Sequence, residues 1–420
     1  MDESGPIVGG SDRGGPAMSA ALARDGGLPV RTRPYPPCPF LADDEIEAAR
    51  QVLRSGRINY WTGEVGRLFE REFAAVAGCP HAVALANGTL ALEAALLACD
   101  VGPGDEVIVP CRTFIASASC AAMRGAKPVV VDVDAERQNL TVATVTPALT
   151  ARTRAIVAVH LAGWPCDVPA LRALAQSRGI VVIEDCAQAT GATLAGRPVG
   201  ALGDVAAFSF CQDKIITSGG EGGMLTLADP ARFERVWAFK DHGKSYDAVY
   251  RRQHPPGFRW LHESFGTNWR LTEVQSALGL AQLRKLPEWV ARRRANAAWF
   301  DRRFAGHPAL RLTRPPPEVG HSYYKYYLFL RPERLAPGWD RDRIVTAVNA
   351  EGVPCFVGSC GEIYREKAFT AAGLAPAARF PVAQALSETS LMLLVHPTLS
   401  EDDLADAARA LEKVLALATR

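Results

Sequence analysis

The chain has 420 residues, of which 48% are hydrophobic and 22% charged, a composition typical of globular proteins with more than one domain. Its 47 Lys and Arg against 45 Asp and Glu leave a formal net charge of +2, so no global field favours nucleic acid or an anionic membrane. No apolar run reaches the ~18 residues of a spanning helix, and no signal-peptide pattern begins the chain, so we expect a cytoplasmic protein. The ten cysteines stand singly, which favours neither a disulfide framework nor a zinc knuckle.

The first part of the chain predicts a tail followed by two helices. Residues 1–28 are rich in Gly, Ser, Asp and Ala and predict a flexible N-terminal tail. A first helix is predicted from about Asp43 to Gly56, with an apolar stripe on Ile46, Ala49 and Leu53. A second amphipathic helix follows, with its apolar stripe on Leu68, Phe69, Phe73 and Val76.

From His81 onward, short apolar runs alternate with helical patterns. The predicted strands are HAVAL, DEVIVP, KPVVVDVD, RAIVAVHL, GIVVIEDC and DVAAFSF. Such alternation with Val- and Ile-rich strands favours an α/β fold in which helices cover both faces of a mostly parallel sheet. We assign residues 29–286 to this large domain.

A second, smaller domain is predicted for residues 287–420. Pro287 is expected to bend or restart a long helix, after which YYKYYLFLRP predicts a strand and RDRIVTAVNAEG a helix. A terminal amphipathic helix is expected from about Ser400 to Leu417. These elements are typical of a compact α+β domain.

Ligands in parallel α/β sheets bind beyond the carboxyl ends of the strands, so the residues that follow each strand are the candidates for a site. These residues are Asn87, Gly88 and Thr89, then Thr113 and Phe114, His160, Asp185 with Gln188, and Ser209 with Lys214.

Lys214 follows the predicted strand VAAFSF and precedes the glycine-rich turn SGGEGG. A desolvated lysine loses its proton more easily than one in water and can then act as an amine nucleophile that forms a Schiff base with a carbonyl. The alternative is an ordinary surface lysine in a turn, and this segment alone does not separate the two.

Asp185 ends the strand GIVVIED. Its partner is either a backbone amide of the next helix or the protonated ring nitrogen of pyridoxal phosphate, whose chemistry uses an Asp partner and a Schiff-base Lys. Gln188 is then placed to bind the phenolic oxygen of the cofactor, or else is a helix-surface amide.

A phosphate site is predicted at the turn from strand to helix at Gly88 and Thr89, where backbone amides and the helix dipole attract anions. Ser209 can add a hydroxyl donor, and Phe114 can stack on a planar ring. The alternatives are an ordinary helix cap for Gly88 and Thr89, and a core position for Phe114.

From about residue 29 to its end, the chain resembles the DegT/DnrJ/EryC1/StrS family of sugar aminotransferases. The resemblance is carried by the ordered blocks NGTLALEAAL, GDEVIVPCRTFIASA, VVVDVD, VHLAGWPCDV, VIEDCAQATGA, GDVAAFSFCQDKIITSGGEGG, FGTNWRLTEVQSALGLAQL and LMLLVHPTL. It implies fold type I of the pyridoxal-phosphate-dependent transferases, which is aspartate-aminotransferase-like, with a mostly parallel seven-stranded sheet.

The resemblance also implies roles for individual residues. Lys214 would bind the cofactor covalently and shuttle protons, and Asp185 would pair with the pyridine nitrogen. The other cofactor contacts would come from Gly88, Thr89, Phe114, Gln188 and Ser209. Asn268 would reach the phosphate of the neighbouring subunit, which implies a homodimer with shared active sites, and Arg270 would order that loop.

The reaction implied by the resemblance moves an amino group from L-glutamate or L-glutamine to a keto sugar. The acceptor is a nucleotide-linked keto hexose, a keto-cyclitol or an oxidised ulosonic acid, for an amino sugar of lipopolysaccharide or of a natural product. Acceptor contacts are expected from residues 59–63, 240–260 and 323–327. Two alternatives stay open, namely a sugar dehydratase or epimerase on the same scaffold and a non-catalytic regulator that binds the cofactor.

Overall fold

The computed structural model describes residues 21–420. Its α-helices are α1 Asp43–Ser55, α2 Val65–Ala77, α3 Gly88–Ala98, α4 Ala116–Met123, α5 Val142–Val145, α6 Val168–Gln176, α7 Pro230–Phe239, α8 Tyr246–Tyr250, α9 Glu273–Arg303, α10 Arg341–Ala350, α11 Lys367–Ala371, α12 Pro381–Thr389 and α13 Glu401–Ala418. Its strands are β1 His81–Leu85, β2 Glu106–Pro110, β3 Lys127–Val131, β4 Thr153–Val159, β5 Val181–Asp185, β6 Thr193–Leu194, β7 Arg197–Pro198, β8 Val205–Ser209, β9 Gly223–Leu227, β10 Leu310–Leu312, β11 Val319–Gly320, β12 Tyr326–Leu330, β13 Cys355–Phe356 and β14 Ser390–Leu393.

The large sheet has seven strands in the order β1-β9-β8-β5-β4-β2-β3. Strand β9 is antiparallel to both of its neighbours, whereas the pairs β8/β5, β5/β4, β4/β2 and β2/β3 are parallel. The predicted fold class, a mostly parallel seven-stranded sheet, is therefore confirmed. Strand β9 is not among the predicted strands, because it begins at Gly223, the last residue of the glycine-rich turn.

Helices cover both faces of this sheet, which is why consecutive residues in the middle of its strands are apolar. In β2, Val107 and Val109 pack on the face covered by α3 and α4, whereas Ile108 packs on the opposite face with Phe69 and Phe73 of α2. Alternate strand residues point to opposite faces, so two separate cores are filled by one strand. The carboxyl ends of the strands lie between these cores.

Capping side chains explain where several helices begin. Asn87 accepts a hydrogen bond from the Leu90 amide at the start of α3. Thr272 and Gln275 form a reciprocal capping pair at the start of α9. Each cap satisfies N–H groups that have no partner inside the helix.

The smaller unit contains a four-stranded antiparallel sheet in the order β10-β12-β14-β13, against which α10 and α13 pack. Helix α9 runs continuously for 31 residues with Pro287 inside it, so the predicted domain boundary at residue 287 lies within this helix. The division into residues 29–286 and 287–420 stays a prediction. The strand, helix and terminal helix predicted here correspond to β12, α10 and α13.

The predicted tail comprises residues 1–28, of which residues 1–20 lie outside the described residues. Its last part differs from the expectation of a flexible segment, because Leu22 is buried in the core of the smaller unit. The Ala23 amide donates to Glu351 Oε1 at 2.8 Å, and Lys413 Nζ donates to the Leu28 carbonyl at 2.9 Å. Backbone bonds to the side chains of Glu351, which directly follows α10, and of Lys413 in α13 therefore hold this segment in place.

Helix α1 presents a face other than the predicted one to the protein. Ile46 and Leu53 are 54% and 60% exposed, while Val52 and Glu45 are buried. Glu45 is drawn inward because its carboxylate lies 2.8 Å from Lys285 Nζ of α9. The predicted apolar stripe on Ile46, Ala49 and Leu53 is therefore not the face that this chain buries. Within residues 21–420, no helix is both long and apolar enough to span a bilayer.

Candidate active site

A cavity of about 890 Å³ lies at the carboxyl ends of the strands, between the large sheet and the smaller unit. Its lining includes seven of the predicted site residues, namely Gly88, Thr89, Phe114, Asp185, Gln188, Ser209 and Lys214. The edge of the sheet thus brings together residues that are separated by up to 126 positions along the chain (214 − 88).

The N-terminus of α3 forms one end of this cavity. The amides of Gly88 and Thr89 are in the first turn of the helix, where N–H groups lack partners inside the helix and the dipole is positive. Gly88 is in close contact with Ser209, because a Cβ built on Gly88 would lie only 2.6 Å from Ser209 Cβ. A side chain at position 88 would therefore fill the space between the helix amides and the Ser209 hydroxyl.

Asp185 ends β5 and is buried. Its Oδ2 accepts a hydrogen bond of 2.7 Å from Ser117 Oγ, and its Oδ1 accepts one of 3.1 Å from the Ala187 amide. Each carboxylate oxygen has two lone pairs, so each keeps capacity for a further donor from the cavity. The backbone partner considered for Asp185 is thus present, without excluding a ligand.

Gln188 is held by both of its amide atoms. Its Oε1 accepts from the Ala162 amide at 2.8 Å, and its Nε2 donates to Ser359 Oγ at 3.3 Å. Because a side-chain amide has two N–H groups, one remains for an acceptor in the cavity. Gln188 is buried, so the alternative of a helix-surface amide is wrong.

Lys214 lies in the loop after β8, with its Nζ 3.6 Å from Asp213 Oδ1 and 5.1 Å from the centroid of the Tyr324 ring. The Tyr324 hydroxyl donates a hydrogen bond to Asp213. Burial raises the pKa of Asp213, but the Lys214 charge and the Tyr324 bond outweigh burial and lower that pKa overall. The pKa of the neighbouring Lys325 is lowered, chiefly by burial. Lys214 is only 18% exposed, which argues against an ordinary surface lysine.

Two predicted residues lie away from the centre of the cavity. Phe114 is 64% exposed, so the alternative of a core position is wrong, and it lines the cavity wall. Asn268 is exposed and outside the lining of this cavity. It pairs with Asp241 in a β-bridge, and Arg270 Nη1 donates to Asp241 Oδ1 at 2.7 Å, as expected if Arg270 orders this loop.

Residues 324 and 325 line the cavity, whereas residues 59–63 and 240–260 do not. Trp61 and Lys244 instead contact Asp241, with Trp61 Nε1 at 2.6 Å from Oδ2 and Lys244 Nζ at 3.1 Å from Oδ1. These loops therefore gather with Asn268 around Asp241.

Three residues that line the cavity are not among the residues predicted from the sequence, namely Ser117, Asp213 and Ser359. Ser117 lies three positions after Phe114 at the start of α4, and helical spacing from Phe114 would have identified it. Asp213 directly precedes Lys214 but carried no signal of its own. Ser359 belongs to the smaller unit, and its contact with Gln188 spans 171 positions.

His160 also follows a strand, but it does not line the cavity. Its Nδ1 accepts from the Cys166 amide at 2.8 Å, which leaves the hydrogen on Nε2 to bond Glu184 Oε2 at 3.0 Å. The Glu184 carboxylate also accepts from the amides of Gly200, Leu202 and Gly203. The proximity of His160, Glu184 and Cys186 thus reflects a satisfied buried network, and no ligand is needed to explain it.

Residues 39–412 match the profile of the DegT/DnrJ/EryC1/StrS aminotransferase family. The chain is 36% identical over 375 residues to the UDP-N-acetyl-3-dehydro-alpha-D-glucosamine 3-aminotransferase of Acidithiobacillus ferrooxidans, with 89% of this chain and 95% of that protein covered. Its structure is similar to that of an aminotransferase from Psychrobacter cryohalolentis, with a TM-score of 0.90, 51% identity and coverage of 91% of this chain and 99% of the other.

A protein of Streptococcus pneumoniae, solved in its PLP form, is also similar, with a TM-score of 0.82, 27% identity and coverage of 93% of this chain and 100% of the other. The predicted family and the predicted class of enzyme are confirmed by these similarities. The chain belongs to the DegT/DnrJ/EryC1/StrS aminotransferase family.

Proposed function

We propose that this protein transfers an amino group from L-glutamate or L-glutamine to a keto sugar, with pyridoxal phosphate as its cofactor. The observation that carries the proposal is the single cavity in which Lys214, Asp185 and the N-terminus of α3 meet. The keto amino sugar named for the Acidithiobacillus relative supports the class of acceptor.

The residues of the cavity fit this cofactor. A phosphate fits the amides of Gly88 and Thr89 together with the Ser209 hydroxyl, because the bare Gly88 backbone leaves the space that a Cβ would fill. Asp185 is buried and hydrogen-bonded as a carboxylate acceptor, which suits a protonated ring nitrogen. When bound, pyridoxal phosphate supplies an electron sink for charge that develops on a substrate carbon.

The protein's own groups then orient the reactants and move the proton. Asp185 would hold the ring nitrogen protonated through its remaining lone pairs, and Gln188 Nε2 would offer its second N–H to the phenolic oxygen. Lys214 Nζ is the base that takes the proton from the donor carbon and later returns one to the acceptor carbon. Phe114 lines the cavity and would stack on the cofactor ring.

Among the possible acceptors, a nucleotide-linked keto hexose has the best support, because the name of the Acidithiobacillus relative contains such a sugar. The alternative acceptors are a keto-cyclitol and an oxidised ulosonic acid. With each acceptor, the proposed product is an amino sugar for lipopolysaccharide or for a natural product. A dehydratase or epimerase would form product without donor nitrogen, and a regulator would bind the cofactor without turnover.

We infer that the protein is a homodimer whose two subunits share each active site. Asn268 supports this inference, because it is exposed and lies outside the cavity of its own chain. Phe265 in the same loop is fully exposed. Trp260 is 82% exposed, and Ile46 of α1 is 54% exposed. A second copy would cover these apolar side chains and bring Asn268 to the phosphate of its partner.

We also infer a reducing, cytoplasmic compartment. All ten cysteines lie within the described part of the chain and all are free thiols. Several are buried where a thiol is a small apolar side chain, and such usage is typical of proteins outside oxidising compartments.

Mixing two inactive variants tests the shared sites. Lys214→Ala and Asn268→Ala homodimers are unfolded together and refolded as hybrids, and activity is measured against each parent. A shared-site dimer regains activity in the hybrids, because one of the two sites then has both residues intact. Hybrids as inactive as their parents would contradict the inference.

The reaction itself is tested by isotope transfer. The holoenzyme is incubated with ¹⁵N-labelled L-glutamate, or with L-glutamine labelled at its α-amino group, and a series of keto sugars, and the products are analysed by mass. Transamination predicts that one keto sugar gains the labelled nitrogen. A product without label would instead support the dehydratase or epimerase, and cofactor binding without any product would support the regulator.

A further inference from the structure

Arg112 is a buried arginine whose terminal nitrogens lack partners. It follows β2, directly before the cavity residues Thr113 and Phe114. Its Nε donates to Gln138 Oε1 at 2.8 Å, but within residues 21–420 Nη1 and Nη2 have no hydrogen-bond partner. A guanidinium has five N–H donors, and burying its charge without an anion is costly. An arginine in this state is expected to meet a ligand.

A separate cavity of about 380 Å³ lies against Arg112, between the large sheet and the smaller unit. Arg341 lines it with a side chain that is 15% exposed, and Ser359 and Ser387 add hydroxyl groups. Ser387 Oγ is also buried without a partner in the described part of the chain. Gly361 keeps this corner open, because a Cβ there would lie 3.1 Å from Arg112 Nη1 and 1.7 Å from Ser387 Oγ.

The acidic residues of this cavity do not neutralise Arg112. The Glu362 carboxylate is engaged elsewhere, since it accepts from Arg379 Nε at 2.9 Å and from the Tyr364 hydroxyl. Glu366 is exposed at the outer part of the cavity. Arg341 is partly engaged, because its Nε pairs with Asp342 Oδ1 at 2.5 Å and its Nη1 donates to the Ser390 carbonyl at 3.4 Å. The buried part therefore offers the free donors of Arg112 and the Ser387 hydroxyl, a combination that binds the oxygens of a carboxylate or a phosphate.

This cavity adjoins the active cavity. Gly358, Ser359 and Cys360 line both of them. Ser359 accepts from Gln188 Nε2, and its amide donates to the Tyr327 hydroxyl at 2.7 Å, so the shared wall is fixed on both sides. The Arg112 guanidinium in turn lies over the Tyr327 ring, with Arg112 Cζ at 5.7 Å from the ring centroid. The two cavities therefore adjoin at residues 358–360.

We propose that Arg112 and Arg341 form an oxyanion subsite that binds a carboxylate or phosphate of a substrate whose reacting atoms lie in the active cavity. Identifying that substrate rests on the proposed function, in which the oxyanion is either a carboxylate of the amino donor or an anionic group of the acceptor. Ser387 completes the subsite with a hydroxyl donor.

Binding of small anions tests the subsite directly. Glutarate, uridine diphosphate and inorganic phosphate are titrated by calorimetry into the wild-type holoenzyme and into Arg112→Met. Losing charge-assisted hydrogen bonds raises the dissociation constant of at least one probe by about 10- to 100-fold. A glutarate effect assigns the subsite to a carboxylate such as that of the donor, and an effect on uridine diphosphate or phosphate assigns it to a phosphate. No effect on any probe would overturn the proposal.

Arg343→Gln is the matched control, because Arg343 lies on the same helix as Arg341, is exposed and does not line the cavity. It should leave every dissociation constant unchanged. If Arg112→Met does not fold, Arg341→Gln replaces it, since Arg341 is at the partly exposed side of the subsite. Melting temperatures of all variants show that each is folded before titration.

Half-reaction kinetics separate this proposal from the proposed function. In Arg112→Met, the KM of one substrate should rise about 10-fold or more while kcat changes little, because the subsite is remote from Lys214 and binds rather than reacts. A loss of kcat with unchanged KM for donor and acceptor would contradict the subsite. If wild-type enzyme converts no donor, the proposed function fails, and the anion titration still decides whether the subsite exists.

Discussion

Ser117 Oγ donates a hydrogen bond of 2.7 Å to Asp185 Oδ2, and this bond joins the start of α4 to the end of β5 across the floor of the active cavity. Ser117 Oγ also lies 2.9 Å from Thr113 Oγ1, so a chain of two hydroxyl groups holds the Asp185 carboxylate. We expect this chain to orient Asp185 towards a ring nitrogen.

Ser117→Ala should therefore weaken the hold on Asp185 without removing it. The lost bond to a charged acceptor corresponds to about 1.5 kcal/mol, or about tenfold in cofactor affinity or in kcat/KM. Ser119→Ala on the same helix is the control, and its kinetics should match wild type. Equal kinetics for Ser117→Ala and wild type would show that the bond does not support the site.

Asp185→Asn should keep the cofactor bound through Lys214 but slow transamination. A neutral amide does not hold the ring nitrogen protonated, so the stabilisation of charge during proton transfer is lost. Removal of one such electrostatic partner costs on the order of 10²-fold in kcat. Single-turnover absorbance with L-glutamate measures this rate, and a rate within a few-fold of wild type would contradict the assigned role.

Gly88→Ala should weaken phosphate binding, because the added Cβ would lie 2.6 Å from Ser209 Cβ. Overpacking at this contact displaces either the start of α3 or Ser209, and we expect cofactor affinity to fall on the order of tenfold. Gly102→Ala is the control, since the nearest atom to a Cβ there is 3.8 Å away. Equilibrium dialysis of the cofactor compares the two variants. Equal affinities would mean that the cradle is elsewhere.

The stability of the fold should fall as the pH is lowered from about 6.5 to 4. Burial lowers the pKa of His321 to about 3 from its ordinary value of 6.5, and lowers that of His396 to about 4. Below pH 6.5 the unfolded chain takes up these protons and the folded chain does not, so each histidine costs up to about 1.4 kcal/mol per pH unit.

His321→Asn isolates one of these contributions. Asparagine does not titrate, and its carbonyl oxygen can replace the ring nitrogen that accepts from the Tyr323 amide at 2.8 Å. Between pH 6.5 and 5, the free energy of unfolding measured in urea should fall less steeply in the variant than in wild type, by roughly 1 kcal/mol per unit. Identical slopes would show that His321 is protonated in the folded protein.

The parts of the site that the sequence predicts are those fixed by single strand ends. Asp185 and Ser209 end β5 and β8, and Gly88 begins the helix after β1, so a parallel sheet places them at one edge. The contacts that the sequence does not predict join distant segments. Tyr324 bonds Asp213 across 111 positions, and Arg112 lines one cavity with Arg341 of the smaller unit.

The same reasoning explains the error on α1. Helical periodicity identifies an apolar stripe on Ile46 and Leu53 but does not say which surface covers it, and a partner subunit is as good a cover as the chain's own core. The capping of helices and the strand ends are local properties, whereas assembly is not.

Lys214 carries the central claim, and the absorbance spectrum of Lys214→Ala tests it most directly. Wild-type protein with pyridoxal phosphate should absorb in the near-visible range, and L-glutamate or L-glutamine should shift that absorbance. Lys214→Ala should lose both the near-visible band and the donor-dependent shift, while Lys325→Ala, which removes the adjacent cavity lysine, should keep the band. A wild-type spectrum in the Lys214→Ala variant would contradict the account.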